Sequence, residues 1–600
     1  MGTPLWRKRL PSLNLDFRGG GSLDPRITFS RQVGATYGAT RVNASGLIES
    51  LSANYALNSD FKLGTVAGSP GTQPTSWTVG VAPTGCTRRI DFGTDQYGDY
   101  LEVEYSGTNS SGSTQFPAVF PAAGAHSATG VGVAWVGSAR VALLAGAWPT
   151  AANIQMVEYD AGFGFLRATS TDITTLVTGP VPVALERNAT TGASAAYVTI
   201  CPVAFTVNNG TPFNCTFRIY SPKLELGSVA TPYNRATTAP SGTPRLDYDP
   251  VTLAPKGLLI EEQRTNLIYP SIAPITQAGG SFPGGGGTYL GIASTRYAAD
   301  GASSGHYCVF PSIVPAAATL YTVSAYFKMI AGTRIQITTS GNFSDSLAYI
   351  NINNGSVVAS GASVAAGSAF CTPVGNGVYR AGFAFTTTGS PTSGTGCVLS
   401  AINADGDGRI PIHVSSDSWD SFGVQFEAGV FPTSYIPTTA AAVTRAADVA
   451  SMTGTNFSNW FNATEGAFVC SFDYPPATFG TGGSSNCMLT SGGSARYIYG
   501  GNSNNTLRSY DGSTILSSTT VCTGGIAKKA ASGYTRLTSR SLSVGGETVV
   551  TGSCAAAFTA GTVLYIGSDD GTNKNLNGHI QRLTYYNKRL PDATLQALST

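Results

Sequence analysis

Charge is what this 600-residue sequence has least of: Asp, Glu, Lys and Arg make up 11% of it, against about 25% in an ordinary soluble protein. With 35 basic and 33 acidic residues the formal net charge is +2, too little field to draw the chain onto nucleic acid or an anionic membrane. The one basic cluster, Arg7, Lys8 and Arg9, is short and terminal and reads as a solvated tail. Long apolar runs are missing too. Val131 to Trp148 comes nearest to a membrane span, but Arg140 and three glycines interrupt it, and two short strands fit it better. The opening MGTPLWRKRLPSLNLDF lacks the apolar stretch of a secretory signal. The expectation is neither export nor membrane insertion.

Cysteine pairs are absent as well. The ten cysteines run singly from Cys86 to Cys554, so neither a zinc ribbon nor a redox C-x-x-C is encoded. Cys201 and Cys215 are near enough to bridge a hairpin, but spacing alone does not establish a disulfide, and buried free thiols suit assembly in a reducing cytoplasm. Helical periodicity is nearly missing; only PDATLQAL, Pro591 to Leu598, has the early Pro and Asp of a short terminal helix.

What is abundant is glycine, 73 residues, with Tyr and Phe at 27 each. Period-two alternation runs through most segments. Leu101, Val103 and Tyr105 oppose Glu102 and Glu104; Tyr321, Val323, Ala325, Phe327 and Met329 form a stripe, as do Phe468, Cys470, Phe472 and Tyr474. Each is a strand with one buried face, punctuated by turns such as GGGG at Gly284 and GGNSNN at Gly500. Six hundred residues exceed one core, and an internal echo divides them. LELGSVATPY (Leu224 to Tyr233) aligns with FEAGVFPTSY (Phe426 to Tyr435), matching Glu225 with Glu427, Gly227 with Gly429, Thr231 with Thr433 and Tyr233 with Tyr435. A separation of about 200 residues is that of two copies of one domain.

Several segments carry a family resemblance. SLDPRITFSRQVGATY (Ser22 to Tyr37) with GLIES (Gly46 to Ser50), and PRLDYDPVTLAPKGLLIEEQRTNLI (Pro244 to Ile268), resemble the linker-and-anchor region of bacteriophage head-spike and tail-fibre proteins. GNGVYRAGFAF (Gly375 to Phe385) with SFGVQFEAGVFPTSYIPT (Ser421 to Thr438) resembles a carbohydrate-binding-like jelly roll, although Val378 and Phe422 stand where a Trp is usual. VTRAADVASMTG (Val443 to Gly454) resembles the link that commonly follows such a jelly roll in phage proteins, and TEGAFVCSFDY (Thr464 to Tyr474) with LNGHIQRLTYYNKRLPDATLQAL (Leu576 to Leu598) resembles the concanavalin or laminin-G-like sandwich that ends phage structural proteins. The fold expected is all-β and multi-domain. It comprises a split N-terminal anchor over 1–54 and 243–265, a jelly-roll-like sandwich inserted over 55–242, a carbohydrate-binding-like jelly roll over 266–442 and a concanavalin-like sandwich over 443–600.

Chemistry-bearing motifs are sparse. His126, His306, His413 and His579 are expected in different modules, without H-E-x-x-H spacing. Glu102 with Glu104 is the nearest local carboxyl pair, read as a polar strand face; Glu261 and Glu262 would point to opposite sides of an extended chain and mark a structural joint. NADGDG (Asn403 to Gly408) and SDDGTNKN (Ser568 to Asn575) imitate calcium loops but read better as turns, since Val414 stands where a bidentate Glu is needed in the first. No catalytic residue, metal ligand or cofactor site is expected. Sugar recognition needs exposed aromatic faces. Trp77, Trp148, Trp419 and Trp460 are the candidates, each with a competing core reading.

The resemblance implies a non-enzymatic phage virion protein, a fibre, spike or decoration subunit assembled in the host cytoplasm. It would contact other virion proteins through its N-terminal region, form a homo-oligomer with a trimer favoured, and hold host-surface glycan. The alternatives are a purely architectural component and, behind it, a polysaccharide depolymerase.

Overall fold

The computed structural model describes residues 10–19, 23–24, 26–31, 39–51, 53–227, 230, 233, 235–236, 241–344, 347–474, 487–490, 496–500, 506–522, 528–554, 562–570 and 574–600. The basic cluster Arg7 to Arg9, residues 501–505 of GGNSNN and residues 571–573 of SDDGTNKN lie outside them. The protein is multi-domain and almost entirely β. It divides into two compact units, Leu51–Thr243 and a second made from both flanks, Met1–Ser50 with Pro244–Thr600.

Leu51–Thr243 holds two antiparallel sheets. One runs Val183–Thr190, Ala134–Gly146, Pro212–Leu226, Gly98–Thr108, Cys86–Asp95; the other runs Phe165–Asp172, Ala152–Tyr159, Tyr197–Phe205, Ala118–Pro121, Trp77–Val79. Alternation explains the core: Leu101, Val103 and Tyr105 face inward with Val141, Ile200 and Phe217. Val131 to Trp148, expected as two short strands, forms one, Ala134–Gly146. Register shifts after Ser138 and Leu143 bend that strand without breaking it, and Arg140 is accommodated by donating to the Tyr97 carbonyl.

The flanking unit contains two sandwiches. In the first, Gly280–Ser281, Thr295–Ala299, Ser418–Ala428, Leu320–Ala331, Tyr379–Thr386 and Phe370–Pro373 oppose a sheet ordered Thr276–Ala278, Tyr307–Val309, Val398–Ser400, Arg334–Thr338, Tyr349–Asn353, Ser356–Ser360. Val323, Ala325, Phe327 and Trp419 fill the space between. The second is C-terminal, with the strand Gly578–Tyr586 at its centre and the short helix Asp592–Leu598 packing Leu595 beside it.

The segments expected to form a separate anchor supply strands to this C-terminal sandwich. Leu13–Asp16 and Pro255–Ile260 pair with Gly578–Tyr586, Arg245–Tyr248 pairs with Pro255–Ile260, and Thr28–Ser30 pairs with Val449–Thr453. The reason is burial. Strands of three to six residues cannot enclose a core, so Leu13, Leu15, Leu246, Leu258 and Ile260 bury against Phe468, Phe472 and Leu583.

The two echoed sandwiches are closed by the same hydrogen bonds. In the first, Asn54 donates to the Pro222 carbonyl at 2.9 Å and accepts from the Ala56 and Leu224 amides, while Ser59 meets the Tyr233 hydroxyl at 2.9 Å and the Ala236 amide. In the second, Asn266 donates to the Val424 carbonyl at 3.0 Å and accepts from the Ile268 and Phe426 amides. Ser271 there meets the Tyr435 hydroxyl at 2.6 Å and the Thr438 amide. A side-chain amide satisfying three backbone groups pins the entering strand to the last one.

Candidate functional site

The four tryptophans lie in cores, with 0–8% of their surface exposed. Trp77 donates to the Leu57 carbonyl at 2.8 Å, Trp148 to Val177 at 2.9 Å and Trp460 to Asn456 at 2.7 Å, while Trp419 stacks on Tyr297 at 4.4 Å. A buried indole has no face to give a sugar, and these rings are large core fillers.

An exposed aromatic group appears elsewhere, in the unit Leu51–Thr243. Strands Ala152–Tyr159 and Phe165–Asp172 are joined by a tight turn in which Asp160 Oδ1 accepts from the Gly162 and Gly164 amides, both at 2.8 Å. This turn holds Phe163 at φ 63°, the left-handed region that a bulky residue enters only when its surroundings enforce it. The Phe163 ring lies flat on Tyr197 at 4.3 Å, and His126 lies flat on Tyr159 at 4.5 Å. Tyr159 and Tyr197 are directly paired across the sheet, and His126 is 6.0 Å from Phe163. The result is a two-layer aromatic shelf. Phe163 is 42% exposed, and Phe165 beside it 65%.

The stacked rings of the shelf carry no charge. Burial lowers the His126 pKa, with the Pro121 carbonyl opposing at 2.9 Å, so the imidazole is neutral at physiological pH. Asp160 Oδ2 takes no hydrogen bond among the described residues, leaving one carboxylate oxygen at the rim. A flat apolar platform with an acceptor at its edge matches a pyranose ring, which has a C–H face and a hydroxyl rim. The sequence offered little signal for it: AGFGFLR reads as a glycine turn, and only the presence of two Phe within it marks an exposed hydrophobic cluster.

The carboxylates have structural partners. Arg89 bridges Glu102 and Glu104, and Glu102 also meets Arg218 at 2.8 Å. Glu225 pairs with Lys223 at 3.0 Å, both fully buried; Glu427 accepts from the Thr433 amide at 2.8 Å and hydroxyl at 2.7 Å. Within NADGDG, Asp407 accepts from the Asn403 and Ala404 amides and Asp405 from Arg334 and Asn353, so these oxygens close a turn. Cys201 and Cys215 are buried free thiols, each raised to about 12 by burial.

Glu261 and Glu262 diverge as expected: Glu262 pairs with Arg264, while Glu261 enters a buried ionic joint. There Asp448 meets Arg31 at 2.8 Å and also Arg245; Arg245 meets Glu261 at 2.5 Å; Arg445 meets Glu261 at 3.0 Å. Ser434, from the end of the jelly-roll-like sandwich, donates amide and hydroxyl to Glu261 at 2.8 and 2.7 Å. Burial opposes ionisation of Glu261, but Arg445 and Arg245 overcome it and hold the carboxyl well below its usual range.

His579 sits between Asp473, 2.7 Å from Nδ1, and Asp247, 2.9 Å from Nε2. Burial works to lower its pKa, but the Asp473 charge and the bond to Asp247 leave it raised. A carboxylate facing each ring nitrogen favours the doubly protonated ring, which can donate to both. His306 and His413, expected in different modules, share one sandwich and approach each other to 5.8 Å between ring centres. No helix is long and apolar enough to cross a membrane among the described residues.

No protein-family profile matches the chain, and no curated protein does. Among solved structures, it is similar to the CBM40 domain of the Ruminococcus gnavus IT-sialidase bound to α2,6-sialyllactose, at 16% identity and TM-score 0.20, covering 24% of this chain and 88% of that one. It is similar to the tripod from the baseplate of bacteriophage Tuc2009, at 12% identity and TM-score 0.21, covering 46% and 92%. It is also similar to Trypanosoma rangeli sialidase in complex with sialic acid, at 11% identity and TM-score 0.21, covering 96% and 98%. Likenesses at this level carry no argument about function.

Proposed function

We propose that this chain is a bacteriophage virion subunit, of a fibre, spike or decoration, that presents lectin-like sandwiches to host-surface glycan without catalysing a reaction. The carrying observation is the aromatic shelf of Phe163, His126, Tyr159 and Tyr197, a neutral stacked platform held open by the Asp160 turn. The segment resemblances at Ser22 to Tyr37, Pro244 to Ile268 and Leu576 to Leu598 support the virion assignment. Contact with other virion proteins through the N-terminal region and a trimeric assembly complete the reading. The test is a glycan array probed with the full chain. Binding that Phe163→Ala weakens about tenfold supports adhesion, whereas release of reducing ends from host polysaccharide would make the protein an enzyme.

A purely architectural role is favoured by a different observation. The strand Phe165–Asp172 is the last of its sheet, with Phe165 and Leu166 exposed, and such an edge suits pairing with another chain. An array without signal from correctly assembled protein makes this the better reading.

A further inference from the structure

The sandwich spanning residues 266–442 contains a histidine pair that neither the glycan reading nor the ionic joint uses. Strands Ser303–Gly305 and Ile412–Val414 pair with Ser304 opposite His413, and His306 follows directly. His306 is fully buried, and its ring is tilted by 59° to that of His413. His306 Nε2 lies 3.2 Å from Asp300 Oδ1, and Ser304 Oγ is 3.5 Å away. Three ring nitrogens are left over. His306 Nδ1 and both Nδ1 and Nε2 of His413 are buried without any hydrogen-bond partner.

Leaving a buried polar atom unmatched costs about 1–3 kcal/mol, and a partner shared by one nitrogen of each ring would relieve two of the three. Asp300 decides its character. Accepting from Nε2–H, it fixes His306 in the tautomer whose Nδ1 carries a bare lone pair, the carboxylate–histidine arrangement that orients metal-binding imidazoles. His413 has a second lone pair on one of its two free nitrogens. An ion about 2 Å from one nitrogen of each ring keeps the ring centres roughly 5–6 Å apart, which the observed 5.8 Å meets.

We infer that His306 and His413 bind one late first-row divalent cation of the Zn²⁺, Ni²⁺ or Cu²⁺ class. Imidazole donors select these ions over Ca²⁺ and Mg²⁺, which take oxygen. Among the described residues no group of three or more His, Cys, Asp or Glu side chains is placed to hold a metal ion. The protein therefore supplies two donors, and water fills the remaining positions.

The test uses the full chain stripped with chelator and titrated calorimetrically with Zn²⁺, with Ca²⁺ as the control. The expected result is saturable uptake of one Zn²⁺ per chain, weakened at least tenfold in His306→Gln/His413→Gln, with no response to Ca²⁺. Absence of saturable Zn²⁺ uptake, or uptake unchanged in the double variant, overturns the inference. Should the double variant fold poorly, histidine-selective labelling of the unaltered protein reads the same point, because it has only four histidines. Paramagnetic Ni²⁺ should broaden two imidazole signals and spare those of His126 and His579; broadening of all four or of none also overturns it.

Discussion

At the scale of the residue, Asp448 has the largest consequence. It faces Arg31 and Arg245, and its Oδ2 also accepts the Glu261 amide at 3.0 Å. Burial, with the charges of Arg245 and Arg445, lowers the Arg31 pKa to about 10 against the opposing Asp448 charge. Removing the carboxylate takes a buried counter-charge from two guanidinium groups, of which Arg245 keeps Glu261. Asp448→Ala should therefore cost about 3–5 kcal/mol, read by chemical denaturation; a loss under 1 kcal/mol would mean the joint is hydrated. His579 gives a pH dependence. A folded pKa above the ordinary 6.5 contributes stability that is full below that value and lost as pH rises through the folded pKa. Asp473, brought to about 2 by the His579 charge against its own burial, contributes above its ordinary 3.8 and loses that as pH falls through about 2. The melting-temperature difference between the unaltered protein and His579→Gln should shrink from pH 6 to pH 9; a constant difference would exclude the imidazolium. On the shelf, Phe163→Ala should weaken glycan binding about tenfold, the order of one aromatic stacking contact, with melting unchanged because the ring is half exposed.

At the scale of the element, strand partners could not be read from spacing. Leu13–Asp16 has the alternation of any half-buried strand, with Leu13 and Leu15 inward, but its partner lies more than 560 residues away, since Leu15 faces Leu583. Nothing local encodes that pairing; it follows from which apolar face remains uncovered. Leu15→Ala should cost about 2–5 kcal/mol in the unfolding of the C-terminal sandwich, measured by calorimetry. A strand that were merely tethered would lose almost nothing. The glycine turns were legible as turns, whereas what Gly162 and Gly164 display was not, because the stacking partners of Phe163 and Tyr159 come from residues 197 and 126.

At the scale of the whole molecule, the chain leaves the flanking unit at Ser50 and returns at Pro244. A unit that begins and ends on the paired strands Ala53–Asn54 and Ser241–Gly242 has neighbouring termini and its own core, the conditions for independent folding. Residues 51–243 expressed alone should give a cooperative thermal transition by circular dichroism. Residues 244–600 alone should not match the full chain's stability, because they lack Leu13, Leu15 and Arg31. A trimer, the proposed assembly, would appear as three chain masses by light scattering, and a monomer at working concentration would remove it.

The sequence by itself determined the all-β class, the burial of alternate residues and the terminal helix, because each depends on periodicity or on local identity. Glu261 as a structural element was legible for the same reason, from its place beside Glu262. Tertiary structure alone decided that the tryptophans fill cores, that the terminal segments complete the last sandwich, that His306 meets His413, and that the exposed aromatic surface lies on a turn. Those outcomes rest on contacts between residues far apart in the chain, where the uncovered apolar area and the unpaired hydrogen-bonding groups choose the partner.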